Sequence, residues 1–169
     1  MRIALTGLIL LLSVWLSACT TVAPFGTDAV CHATGDSTVR LKIQRDGQVQ
    51  YLLLRTEPSA EQTVFVALDS IGSPQFSATL KQGQLQLQRS PLYRGTDPAA
   101  LVWGYYWWSL ADTARAHCVN SADLTLQQNA DSINLLHKGR LSWHWDARQA
   151  QQFVLPRQGS RISVTPLKR

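Results

Sequence analysis

The 169-residue chain has little of what enzymes of the common mechanistic classes gather in one place. Its four histidines and eleven acidic residues are scattered. It contains no dense carboxylate or imidazole cluster, no nucleophile elbow and no phosphate-cradling glycine loop, so covalent catalysis is not expected. Asp69 and Asp112 stand as isolated acids and read as surface or capping groups. Cysteine is scarce, at three residues. Two of the three lie beside a histidine, Cys31-His32 and His117-Cys118, but adjacent pairs lack the two-to-four-residue spacing of zinc ligands, and neither a metal nor a cofactor is expected. The chain carries a net charge of +5, yet it has no basic motif interleaved with aromatics, so nucleic acid is not an expected partner. No repeat at a 20–50-residue period is present.

Long apolar runs are also nearly absent. The principal one, Ile3 to Trp15, follows a single basic residue, Arg2. It is too short for a comfortable bilayer span and has the shape of a secretory signal. It ends in Leu16-Ser17-Ala18-Cys19, which resembles the lipobox of bacterial lipoproteins. That resemblance implies lipidation of the Cys19 sulfur, cleavage before Cys19 and acylation of the new amine, giving a mature chain held to a membrane by acyl chains. Thr20 follows, rather than the Asp that signals inner-membrane retention in many such proteins. The expected address is therefore the outer membrane, facing the periplasm. Residues 1–18 read as the signal peptide, 19–30 as lipidated Cys and linker, and 31–169 as one domain.

With Cys19 taken by lipid, Cys31 and Cys118 remain. In an oxidising compartment they read as a disulfide pair, with two buried thiols as the alternative. Such a bridge would contribute on the order of 4–5 kcal/mol in the chain-entropy model. Charge is uneven along the chain. Residues 138–169 hold Lys138, Arg140, Arg148, Arg157, Arg161, Lys168 and Arg169 against Asp146 alone. This basic region fits either a solvated strand face or a surface for anionic lipid or an acidic partner.

Strand signals dominate the remainder. Val39, Leu41 and Ile43 alternate with Arg40, Lys42 and Gln44. Asp46-Gly47 is a hairpin turn, because glycine accepts positive φ without steric cost. Further strands are expected at Val49–Arg55, Thr63–Leu68, Phe76–Leu80, Gln84–Gln88, Leu124–Gln128, Ile133–His137, Leu141–Trp145 (Leu141, Trp143 and Trp145 on one face, Ser142 and His144 on the other), Phe153–Leu155 and around Ile162 and Val164. In the middle, Asp97-Pro98 reads as N-cap and first helical residue of one helix reaching Arg115. Its aromatic residues fall on every side, so it must be covered all round. The expected fold is mainly β with an inserted helix, a curved antiparallel sheet or open half-barrel wrapped around that helix.

This order of elements resembles the LolA/LolB superfamily of lipoprotein-localisation factors and the small lipoproteins within it, some encoded beside aryl-polyene genes. The best local matches are Leu68-Asp69-Ser70-Ile71-Gly72-Ser73 and Phe153-Val154-Leu155-Pro156 followed by Gly159. The chain departs from LolB in a shorter N-terminal part and an aromatic-rich helix. The resemblance implies a LolB-like fold, a protruding Ile71 that meets membrane or cargo on a turn shaped by Gly72, and lipidated or acyl-bearing cargo handed over by a periplasmic carrier. The residues themselves offer an apolar cavity between helix and sheet, with Leu53, Phe65, Trp103, Tyr106, Trp107, Trp143 and Trp145 as candidate lining. The competing expectation is an adaptor lipoprotein that recruits a partner through its basic surface and has no cavity.

Overall fold

The computed structural model describes residues 20–22, 35–119 and 123–167. The expected signal peptide, Cys19, Cys31 and most of the expected linker lie outside the described residues. A first meander comprises β2 (Ser37–Arg45), β3 (Gln48–Pro58), β4 (Gln62–Leu68), β5 (Pro74–Lys81) and β6 (Gln84–Arg89). Residues 90–97 then lead to helices α1 (Pro98–Ser109) and α2 (Asp112–Cys118). A second meander follows, with β7 (Leu124–Gln128), β8 (Ser132–His137), β9 (Arg140–Asp146), β10 (Gln152–Leu155) and β11 (Ser160–Pro166). Strand β1 (Thr20–Val22), inside the stretch read as a linker, adds to the edge at β6 with Thr20 opposite Gln86.

The last strand returns to the first meander. β11 pairs with β2, Val164 opposite Leu41, and the two meanders become one open, eleven-stranded antiparallel sheet. Three hairpins turn on left-handed residue pairs, Asp46-Gly47, Gln82-Gly83 and Lys138-Gly139. That geometry matches the right-handed twist of the flanking strands.

Alternation decides the faces. Val39, Leu41 and Ile43, then Leu52 and Leu54, then Phe65 and Ala67, then Phe76, Ala78 and Leu80 all point to one buried face. Arg40, Arg55 and Gln86 point to solvent. α1 covers the buried face and touches β5 and β6 on one side and β10 on the other. β6 and β10 stand six strand steps apart. In a flat sheet that is ~29 Å, whereas a helix with its side chains is ~10–12 Å across. The sheet therefore curls around α1.

Gly104 permits a close contact between helix and sheet in this wrap. A Cβ there would lie 2.6 Å from Phe153 Cε2 and 3.0 Å from Trp143 Cδ1. The helix thus rests on the rings of β9 and β10, and Trp143 Nε1 donates to the Ala100 carbonyl at 3.1 Å.

Two local expectations are corrected. The helix does not run unbroken to Arg115. Leu110 and Ala111 adopt extended backbone, and α2 starts afresh at Asp112. The buried Arg115 guanidinium stabilises the break. It donates to the carbonyls of Trp107 (2.9 Å) and Leu110 (2.7 Å), pairs with Asp112 at 2.7 Å and lies over the Trp145 ring at 5.5 Å. A cation on the final carbonyls also suits the negative end of the helix dipole. In β9, the register shifts where Leu135 faces Trp143 and Leu136 faces Leu141. The bulge turns Ser142 inward together with Trp143 and leaves Leu141 exposed, so Leu141 does not share a face with the two tryptophans.

Candidate functional site

The antiparallel register sorts every connection to one of two rims. The 69–73 turn, the 90–97 segment, the 46–47 and 138–139 hairpins and the Pro156–Gln158 turn lie at one end. The other end holds the 59–61, 82–83 and 129–131 turns, the start of β2 and the end of β11.

At the first rim, residues 90–97 cross the inside of the curl as a strap. Ser90 N donates to the Gln75 carbonyl, and Tyr93 packs edge-on against Phe76 with centroids 5.5 Å apart. Further on, Tyr93 Oη donates to the Thr96 carbonyl at 2.7 Å, Thr96 Oγ1 meets Ser160 Oγ at 2.9 Å, and Asp97 N donates to Gln158 Oε1. The strap so joins β5 to β11 across this end of the curl. Burial pushes the Tyr93 phenol up to about 12, with the Asp97 charge adding to the rise and Arg89 and Arg45 opposing it. Burial also raises the Tyr106 phenol.

Ile71 protrudes from this rim and is 85% exposed. Its turn is firmly built. The Asp69 carboxylate accepts from Ile71 N, Ser73 N and Gln75 Nε2 at 2.8–3.0 Å, and Gly72 takes φ +86°. Leu92, in the strap, is 83% exposed. Sequence reading missed it, because a leucine between Pro91 and Tyr93 carries no periodic signal.

At the opposite rim α1 ends and a cleft of about 460 Å³ opens. Val39, Tyr105, Trp108, Pro166 and Leu167 supply its apolar wall, and Asp36, Ser37, Thr38 and Ser109 its polar edge. Ser37 Oγ and Tyr105 Oη lie 3.1 Å apart. Directly across from Ser37 on β3 is Thr56. Thr56 and, one strand further, Thr63 are buried with hydroxyls that have no hydrogen-bond partner among the described residues. Trp108 is held by a bond from Nε1 to the Ala150 carbonyl.

The expected cavity residues fare differently. Leu53 is corrected: it points outward, because Leu52 and Leu54 take the inner face and strand neighbours alternate. Phe65, Trp103, Tyr106, Trp107, Trp143 and Trp145 are all buried inward. Trp103 and Tyr106, and Tyr106 and Trp107, make edge-to-face contacts at 5.7 and 5.4 Å. None of the six lines the cleft at the mouth; their neighbours Tyr105 and Trp108 do. The strand parity of Ser37 and Val39 carried that signal, since both share the inner face with Leu41.

Cys118 is buried and disulfide-bonded, with its partner outside the described residues. Among the described residues no group of three or more His, Cys, Asp or Glu is placed to hold a metal ion, and no helix is long and apolar enough to cross a membrane. His144 Nδ1 is instead engaged by Asn134 Oδ1 at 2.7 Å.

No protein-family model matches the chain, and no curated protein matches it.

Proposed function

We propose that the chain is an outer-membrane lipoprotein of the LolA/LolB-like kind, tethered through Cys19 and facing the periplasm, whose half-barrel takes up acyl-bearing cargo without covalent chemistry. The observation that carries this reading is the cleft beside the end of α1, with Tyr105, Trp108, Val39 and Leu167 around it. Its volume falls in the range of small-molecule sites. An acyl chain needs only an apolar concave wall, and each buried methylene contributes ~0.8 kcal/mol. The ester or amide at the head of such a chain is an acceptor, and the Thr56 and Thr63 hydroxyls, without a partner among the described residues, are donors at the inner wall nearby. Ile71, at the far rim, meets the membrane or the cargo. A periplasmic carrier would approach the open mouth.

The test is photo-crosslinking of the lipidated protein in cells fed a diazirine-bearing fatty acid, with the modified peptides mapped. Labelling at residues 105–108 and around Leu167 is expected, with loss in Leu167→Glu. Labelling confined to Cys19 would overturn the cargo reading.

A second reading is an adaptor that binds a partner through its basic surface. Arg157 and Arg161 favour it, being exposed and without an ion-pair partner among the described residues. Charge reversal at both would then abolish partner pull-down while leaving acyl labelling intact.

A further inference from the structure

The strap rim collects features that neither the core nor the mouth uses. Of the six large apolar side chains exposed among the described residues, Val49, Ile71, Leu92 and Leu141 sit at this rim, Tyr51 sits near it, and Leu167 lies at the mouth. Cations interleave with them. Arg45, Arg89, Arg94, Lys138, Arg140 and Arg157 are all exposed at its turns and strand ends. Of the acids there, Asp46 pairs with Arg45 and Asp123 with Lys138, Asp69 is occupied by its own turn, and Asp97 caps α1. Arg89, Arg140 and Arg157 have no ion pair among the described residues. Among the described residues the mouth rim has the opposite balance, with Asp36, Glu57, Glu61, Asp112, Asp131 and Asp146 against Arg55, Lys81, Arg115 and Arg148.

A small cleft of about 270 Å³ lies on the strap rim between the 46–47 hairpin and the strap, lined by Arg45, Arg94, Gln48 and Gln50 with Val49 at its side. Arg45 Nη1 is 3.4 Å from the Gly95 carbonyl, and Arg94 Nη1 donates to the carbonyls of Pro91 and Tyr93. Both guanidiniums are thereby fixed at the edge of one depression. Two guanidiniums with apolar tips beside them suit a phosphate headgroup above its acyl chains, and exposed apolar tips with basic neighbours bind best to an anionic interface. Chain direction agrees. β1 runs from the strap rim toward the mouth, so Thr20 is its residue nearest the strap rim.

We propose that the strap rim is a docking surface for an anionic phospholipid bilayer. Leu92 and Ile71 enter the headgroup–acyl boundary, and the Arg45–Arg94 depression seats a lipid phosphate. The mouth then faces away from that bilayer. The inference rests on the membrane-tethered reading, and it stands whether or not the mouth binds an acyl chain.

The test uses the lipidated full-length protein in vesicles, with a nitroxide placed through Leu92→Cys, Ile71→Cys or, at the mouth rim, Ala60→Cys. Depth is read by paramagnetic relaxation with oxygen against a water-soluble nickel chelate. Positions 92 and 71 are expected to read as lipid-immersed in vesicles containing phosphatidylglycerol and as aqueous in pure phosphatidylcholine, while position 60 stays aqueous in both. Arg140→Glu with Arg157→Glu, two exposed changes, is expected to abolish the shift at 92. Aqueous readings at 92 in both vesicles overturn the proposal even if 71 is immersed. Equal immersion in both removes the anionic requirement and overturns it as well. A nitroxide at 92 that broadens with protein density marks contact between copies, or one shielded only when a cell extract is added marks a protein partner; either result overturns it. Fatty-acid crosslinking at residues 105–108 is scored separately, so failure of the cargo reading remains distinguishable.

Discussion

The two rims of the sheet are made from opposite ends of the same strands, yet they are finished differently. At the strap rim, residues 90–97 bridge β5 to β11 through Tyr93, Thr96 and Asp97 and cover the inner face, leaving only a small cleft with Ile43 at its wall among the described residues. At the mouth the curl is finished by helix ends. Arg115 gathers the last carbonyls of α1, and a cleft persists between Trp108 and Leu167. A curled sheet therefore needs only one connection routed across it to acquire a sealed end and an accessible end. Among the described residues the charge balance shifts along the same axis, with cations in excess at the seal and acids in excess at the opening.

The largest expected way to break this contrast is Arg115→Ala. It strands two buried carbonyls and unstacks Trp145, so unfolding free energy should fall by ~3 kcal/mol in urea titration. Protease sensitivity should concentrate near Leu110 while the strap stays protected. Gly104→Ala comes next. Alanine favours a helix by ~1 kcal/mol over glycine, but its Cβ meets Phe153 and Trp143, and a net loss of ~1–3 kcal/mol is expected by thermal denaturation. Rescue by Phe153→Leu would place the conflict at that ring.

The strap rim answers to alkali. The Tyr93 phenol is raised in the fold relative to an unfolded value of ~10. The folded state therefore holds the proton more tightly. This contribution is full below pH ~10 and is lost as pH rises from there to about 12. Melting temperature should decline across that window, and Tyr93→Phe should flatten the decline. The smallest effect belongs to the rim's own tips. Leu92→Ser and Ile71→Ser should change stability by less than ~0.5 kcal/mol, since both side chains already face solvent. A larger loss from either would mean that the tip serves the core.

Much of this architecture was legible beforehand. The alternation of Gln84-Leu85-Gln86-Leu87-Gln88 and the Asp46-Gly47 turn fix local structure by short-range sterics, and the strands appear there. Asp97-Pro98 opened the helix as expected. The break at Leu110–Ala111 was not legible, because neither residue disfavours a helix; it depends on Arg115 reaching back to α1. The bulge at Ser142 was equally hidden, being a matter of register between strands. Leu53 was misplaced by its apolar neighbours, although simple parity with Leu52 and Leu54 assigns its face. The strap depends on contacts such as Thr96 with Ser160, distant in sequence, and no local pattern announces them. Ile71 was singled out through resemblance, whereas Leu92 required the register of β5 with β6 to reach the same rim.

The pairing of β2 with β11 sets a time order. Among the described strands, the one that completes the middle of the sheet is synthesised last, and Val39 must wait for Pro166. Until then each meander has a bare edge at what becomes the centre, and closing so long a loop is slow and exposed to misassembly. Losing the last strand would leave two sticky half-sheets rather than a slightly smaller domain.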